Sequence, residues 1–320
     1  MNAGEGDAIL VAGGTGFIGS AVVRLLLAAT DRPVRVLRRG ALPEWMAGAT
    51  LTRGDLADPR SLRGSCDGVS TLIHLASQIA GDAELCDRVN FGGTAALLAE
   101  ARSAGVRRTR YLSTTSVYGM GTHRGDAESA LVPHPVSPTS MSRAAAERLV
   151  LAAGGTVLRP HLVYGPGDKW FVPALLRLFH LVPAWIDGGR ALMTLVSVGD
   201  LARVVGALAL EAGSDGAGVV LHVGHPEPVS VRRLLTTVHG CLGLPLPELD
   251  LPAADHRALS RTAVPAMTDH QFTLLADDHW YDTSAVWSRT ALDPGPGFEA
   301  RFPAAVSWYR ELLSPTTKVG

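Results

Sequence analysis

The chain has 320 residues, 47% of them hydrophobic and 18% charged, with a formal net charge of −1. Such a composition makes a compact globule with a substantial core, and it leaves no long-range field for nucleic acid or an anionic membrane. Cys66, Cys86 and Cys241 are isolated and odd in number, which predicts reduced thiols and no metal site. No signal peptide is legible, and no uncharged apolar run reaches membrane-spanning length, so a soluble cytoplasmic protein is expected. Only two of the 29 basic residues are lysines, Lys169 and Lys318; the excess of Arg reads as genome composition, not as a nucleic-acid footprint.

Residues 8–12 read as a buried strand, followed by a glycine turn and a helix over 16–29. Further strands are expected at 34–37, 51–52, 71–75, 110–113 and 156–158, with helices at 90–103 and 142–153. Continuous apolar strands joined by helices predict an α/β fold, a Rossmann-type doubly wound parallel sheet. After Tyr164 the pattern loosens into helices at 172–181, 231–242 and 304–313, with a strand and a helix between 195 and 210. The expected division is a dinucleotide-binding domain over 1–168, to which about 191–212 returns, and a smaller substrate domain over 169–320. Nothing in the pattern sets the oligomeric state.

Gly13-x-x-Gly16-x-x-Gly19 sits between the first strand and the first helix. The spacing serves a tight turn, close approach of backbone to a pyrophosphate, and close helix–strand packing. The helix N-terminus then offers unpaired N–H donors to phosphate, so Gly13, Thr15, Gly16, Phe17, Ile18 and Gly19 are expected at a cofactor. At the end of the second strand, Arg38 and Arg39 stand where an NAD site would place an acid. Two guanidiniums there suit a 2′-phosphate, and NADP(H) is the expected cofactor; two solvated arginines are the structural alternative.

Gly54-Asp55-Leu56, His74-Leu75-Ala76, Asn90-x-x-Gly93-Thr94, Ser113-Thr114-Thr115-Ser116-Val117-Tyr118-Gly119 and Arg159-Pro160-x-x-x-Tyr164-Gly165-Pro166-Gly167 follow the glycine motif in order. Together they resemble the extended short-chain dehydrogenase/reductases, the NAD-dependent epimerase/dehydratase family. The resemblance implies that Asp55 and Leu56 meet the adenine, that Leu75, Ala76 and Ser77 pass the nicotinamide ribose, and that Pro160 and Leu162 also line the cofactor. It puts Thr114 near the substrate oxygen, with Ser116 beside it. This scaffold hosts reductases, epimerases, dehydratases and non-catalytic binders. Because Thr115 and Ser116 stand where sugar-nucleotide dehydratases carry an Asp-Glu pair, a dehydratase is disfavoured.

The family's Tyr-x-x-x-Lys is missing. Thr139 stands at the Tyr position and Arg143 at the Lys position, and neither lysine of the chain restores the motif. An aliphatic hydroxyl does not titrate in the biological range, and a guanidinium does not release its proton. Arg143, one helical turn after Thr139, can still hold the nicotinamide ribose. Three explanations stay open. The proton comes from the substrate or water; another residue supplies it, with His161 the best placed of Tyr118, His123, His134 and His161; or the fold only binds NADP(H) as a regulator.

Trp170, Phe171, Leu175, Phe179, Trp185, Ile186 and Met193 follow the Tyr164-Gly165-Pro166-Gly167 element. They read as core or as the wall of a pocket for a bulky aromatic small molecule. With only Lys169, Arg177 and Arg190 nearby, a sugar-nucleotide diphosphate is a weaker fit. Members lacking the Tyr–Lys pair include the atypical ketoreductases of aromatic polyketide antibiotic biosynthesis. The chain resembles these in its Thr139/Arg143 departure, which implies an NADPH-dependent ketoreductase of an angucyclinone-like ketone. A sugar-nucleotide reductase or epimerase is the alternative.

Overall fold

The computed structural model describes residues 6–213 and 216–314. The chain opens β1 (Ala8–Ala12), α1 (Phe17–Ala29), β2 (Val34–Arg38), β3 (Thr50–Arg53) and β4 (Val69–His74). A short α2 (Ala83–Cys86), a π-turn over Asp87–Gly92 and α3 (Gly93–Ser103) lead to β5 (Arg108–Leu112). Next come β6 (His123–Asp126), α4 (Pro138–Ala152), β7 (Thr156–Pro160), β8 (Leu162–Tyr164), α5 (Phe171–Leu181) and β9 (Ala184–Ile186). They are followed by β10 (Leu192–Met193), β11 (Leu195–Ser197), α6 (Val198–Leu210), β12 (Val219–Val223), β13 (Val229–Ser230) and α7 (Val231–Leu242). The last elements are β14 (Leu249–Leu251), α8 (Ala253–Ala263), α9 (Asp269–Ala276), β15 (His279–Tyr281), α10 (Ser284–Thr290), α11 (Phe298–Arg301) and α12 (Val306–Leu313).

Seven strands form one all-parallel sheet in the order β12-β7-β5-β4-β1-β2-β3. Every residue of β1, β4, β5 and β7 is buried, as strands covered by helices on both faces must be. On one face Val22, Val23 and Leu26 of α1 pack with Leu201, Val204, Val205 and Leu208 of α6. On the other, Leu10 and Leu72 pack against Leu97 of α3 and Leu56. The strand order reverses between β1 and β4, and the crevice at that point, beyond the C-terminal strand ends, is where such sheets take ligands.

A second sheet, β13-β10-β15-β6, draws one strand from the first half of the chain. β6 pairs with β15 in parallel, His123 opposite His279. The central sheet in turn takes β12 at residues 219–223, so the chain crosses between the two sheets several times. Around the smaller sheet, Leu175 and Phe179 of α5, Leu234 and Val238 of α7, Phe272 of α9 and Tyr309 of α12 form a second core. The apolar run after Tyr164 divides accordingly. Leu175, Phe179, Trp185, Ile186 and Met193 are buried in that core, whereas Trp170 is 63% exposed. Most of that run is therefore core and not pocket wall, because one face of α5 and the inner faces of β9 and β10 must be covered.

Candidate active site

The glycine turn has the geometry its spacing predicts. Gly13 sits at φ +83, and a Cβ there would strike the backbone of Ala76 as it leaves β4. A Cβ at Gly19 would run into the Gly13 carbonyl oxygen, so the third glycine lets α1 pack onto the turn. Gly16 is the N-cap, with no side-chain cap and no acidic residue in the first turn. Thr15 and Gly16 are exposed, and Phe17 and Ile18 half-exposed. The orphan N–H groups of this turn and the positive end of α1 are open to an anion, so the site fits the pyrophosphate of a dinucleotide. Phe17 packs against Gly167, which closes the turn from the other side.

At the ends of β2 and β3 three guanidiniums gather. Arg38 pairs in register with Arg53, and its Nη1 donates to Ala41 O at 2.7 Å. Arg39 lies 3.6 Å from Asp55 while 80% exposed, and Arg53 Nη1 donates to Arg39 O at 3.3 Å. Arg53 was not legible as a site residue, because only the strand register brings it beside Arg38. Asp55 also caps its own loop, accepting from Ala57 N, and Leu56 is buried beneath Gly93. One weak ion pair offsets this triad, which suits a phosphate monoester beside the adenosine.

Leu75, Ala76 and Ser77 leave β4 half-exposed beside Gly13. Buried Asn90, in the π-turn, holds this exit. It accepts from Gln78 N at 2.7 Å and Ser77 Oγ at 3.3 Å, and donates to Gln78 O and to Ser142 Oγ of α4. The helix α4 starts at a capping box of Ser137 and Ser140 with Pro138 in the first turn. That start aims Thr139 at the β4 exit: its Oγ1 lies 3.4 Å from Ile79 O and 3.7 Å from Cys86 Sγ. One turn on, Arg143 Nη2 donates to Leu112 O at 2.8 Å, and its guanidinium also bonds the Tyr111 hydroxyl. Arg143 Nε is buried without a partner among the described residues, one donor left over that fits a ribose hydroxyl. Burial and the Arg143 charge push His74 down to about 4, so that ring is neutral.

Thr114 follows β5 and caps the 3-10 turn Thr115–Tyr118. Its Oγ1 accepts from Ser116 N and donates to Ser116 Oγ, both at 3.2 Å. Thr114 and Ser116 thus present adjoining, half-exposed hydroxyls, while Thr115 between them is buried. The turn is anchored from below. The Tyr118 hydroxyl accepts from Arg159 Nη1 at 2.7 Å and meets His222 Nε2 at 2.6 Å, and Arg159 forms a two-bond ion pair with buried Glu147 of α4. Burial raises the Tyr118 hydroxyl above its usual range, so it stays protonated and is engaged by Arg159 and His222.

His161 lies behind the turn. Its Nδ1 is 2.8 Å from Thr115 Oγ1, and its ring is parallel to that of His279 at 5.8 Å. Burial, then the neighbouring His279, His123 and His270, hold it well below the ordinary histidine range. It is neutral near pH 7 and has no readily lost proton there. Its neighbours on the chain, Pro160 and Leu162, close β7 and open β8. His123 is likewise held down by burial, and His134 is exposed on a loop with its backbone N–H bonded to Val117 O. Among the described residues no group of His, Cys, Asp and Glu is arranged to hold a metal ion, and no helix is long and apolar enough to cross a membrane.

Comparison with known proteins agrees with this geometry. Residues 9–224 match the NAD dependent epimerase/dehydratase family. The chain is 31% identical over 252 residues to a 2-alkyl-3-oxoalkanoate reductase of Stenotrophomonas maltophilia, covering 74% of this chain and 76% of that one. It is 31% identical over 262 residues to a 4-hydroxy-2-methyl-3-oxo-4-farnesyl-3,4-dihydroquinoline-1-oxide ketoreductase of Stigmatella aurantiaca, covering 78% and 77%. Among solved structures, MoeE5 in complex with UDP-glucose and NAD superposes with a TM-score of 0.71 at 26% identity, over 97% of this chain and 100% of that one. With a parallel seven-stranded sheet, a glycine turn at its switch point and a match over 216 consecutive residues, the chain belongs to the NAD-dependent epimerase/dehydratase family.

Proposed function

We propose that the protein is an NADPH-dependent ketoreductase that reduces a carbonyl of a bulky, polycyclic aromatic ketone, angucyclinone-like, in antibiotic biosynthesis. One observation carries this reading. Large apolar side chains stand exposed on the loops leaving the C-terminal strand ends: Ile79 after β4, Met120 after the Thr114 turn, Val136 and Met141 at the start of α4, and Trp170 after β8. Ile79 adjoins Thr139, and Val136 adjoins Gly119, so four of these surround the start of α4. Exposed apolar groups clustered at a ligand edge mark an apolar ligand. The two 31%-identical relatives are a reductase and a ketoreductase by name, in keeping with carbonyl reduction.

In this reading residues 1–168, with 191–212 returning, carry the cofactor, and 169–320 cover the substrate. Arg38, Arg39 and Arg53 hold the 2′-phosphate, and Arg143 holds the nicotinamide ribose. NADPH, when bound, supplies the hydride. Thr114 turns its hydroxyl proton from Ser116 Oγ to the carbonyl oxygen as negative charge develops there, while still accepting from Ser116 N. Thr139 does not supply the proton, and neither does neutral His161. The oxygen takes its proton from a hydroxyl of the substrate peri to the carbonyl, or from water, and water restores the phenol afterwards. Losing a positioned acid forfeits about 10²–10⁴-fold, while orientation alone supplies about 7–11 kcal/mol.

The test is NADPH consumption with peri-hydroxy aromatic ketones and with keto-sugar nucleotides. Turnover confined to the aromatic ketones is expected. Turnover confined to the sugar nucleotides would replace this reading by a sugar-nucleotide reductase or epimerase, in line with the UDP-glucose that MoeE5 binds. Tight NADPH binding without any turnover would make the protein a cofactor-binding regulator.

A further inference from the structure

Four histidines from four elements meet where the two sheets approach each other. His161 follows β7, His123 lies on β6, His279 on β15 and His270 on α9. The His161 and His279 rings are 5.8 Å apart, His279 and His123 5.9 Å, and Tyr281 packs 5.5 Å from His161 and 5.1 Å from His123. In two of the four, one ring nitrogen is within hydrogen-bond distance of a neighbour, and in a third it faces a carboxylate farther off. His161 Nδ1 meets Thr115 Oγ1 at 2.8 Å, His279 Nδ1 meets Asp277 O at 3.0 Å, and His123 Nδ1 lies 3.7 Å from Asp126. Nε2 of each of these three, and Nδ1 of His270, are buried with no partner among the described residues.

An unpaired buried nitrogen costs about 1–3 kcal/mol. A seam that only needed filling would be more stable with Phe or Leu, so the imidazoles repay that cost through the nitrogen that is bonded. For His161 that bond reaches Thr115, whose hydroxyl also contacts the Tyr281 hydroxyl. Thr115 is adjacent in the chain to Thr114, and His161 is adjacent to Leu162. One hydrogen bond thus fastens the loop after β5 to the loop after β7, on the buried side of the surface where Thr114 presents its hydroxyl.

We infer that His161 is a positioning residue: by holding Thr115 it fixes the Thr114 hydroxyl against the reacting carbonyl, with His279, His123 and Tyr281 backing its ring from the smaller sheet. The part played by Thr114 rests on the ketoreductase reading; the mechanical link does not. His161→Phe keeps the ring and removes both nitrogens, whereas His161→Asn puts an amide atom close to the position of Nδ1. In the Phe variant kcat is expected to fall about ten- to a hundredfold, as small misplacements of reacting groups do. KM and the Kd for NADPH should stay within about twofold of wild type, and the Asn variant should recover kcat to within about threefold. Equal losses in the two variants, or wild-type kcat in the Phe variant, would overturn the inference.

Amide hydrogen exchange over Thr115–Tyr118 reads the same link without any substrate. Faster exchange in the Phe variant and wild-type exchange in the Asn variant are expected, even if no ketone is turned over. Unchanged exchange in the Phe variant would sink the link whatever the substrate. Should His161→Phe not fold, Thr115→Val cuts the bond from its other end and must give the same pattern.

Discussion

Replacing Glu147 with Ala is expected to cost about 3–5 kcal/mol of folding free energy, the usual loss when one partner of a buried ion pair is removed. Glu147 and Arg159 are 2% and 4% exposed, and Arg159 Nε donates to Glu147 Oε1 at 3.0 Å alongside a second, shorter bond. Without Glu147 the guanidinium remains in the core, bonded to the Tyr118 hydroxyl and lying 4.8 Å over its ring, with no counter-charge. Replacing both partners, Glu147→Leu with Arg159→Met, should recover most of the loss, because no charge is then left buried. Urea unfolding of the wild type and the two variants measures this. A loss below about 1 kcal/mol for Glu147→Ala would mean that water reaches Arg159. Activity should fall with stability, since Tyr118 ends the turn that begins at Thr114.

The double change Arg38→Asp with Arg39→Ala is expected to lower the preference for NADPH over NADH about a hundredfold or more. A hydrogen bond to a charged group contributes about 1.5–3 kcal/mol, and each 1.4 kcal/mol is tenfold in affinity. Among the described residues the Arg38 side chain is held only by the Ala41 carbonyl and that of Arg39 only by a 3.6 Å contact with Asp55, so both can turn to a phosphate at little cost. The introduced Asp would also accept from the ribose 2′-hydroxyl of NADH. Cofactor titrations of the wild-type and doubly changed proteins give the ratio directly. An unchanged ratio would move the 2′-phosphate to Arg53 or elsewhere.

The central sheet was legible because its strands are buried on both faces. The run Ala8–Ala12 is continuous and apolar, and Gly13 and Gly19 are forced by contacts that no Cβ could make. The smaller sheet was not. His123–Asp126 reads His-Arg-Gly-Asp, without an apolar run, and becomes a strand only because residues 279–281, more than 150 positions later, lie beside it. The same distance in sequence hid the histidine cluster, whose members look unrelated until β6 and β15 pair. Val172–Leu181 was read correctly as a helix, but which face the core would cover depended on elements from β9 to α12. Arg143 was expected beside a cofactor ribose; that Leu112 O and Tyr111 already hold it follows from the packing of α4 on the end of β5.

Thr139→Ala, assayed with NADPH and a peri-hydroxy polycyclic ketone, tests the central claim most directly. The Thr139 hydroxyl sits 3.4 Å from Ile79 O, and an aliphatic hydroxyl does not titrate in the biological range. If the proton comes from the substrate or water, kcat should stay within about threefold of wild type. A fall of about 10²-fold or more, the loss expected of a positioned general acid, would contradict the account and return the proton to residue 139.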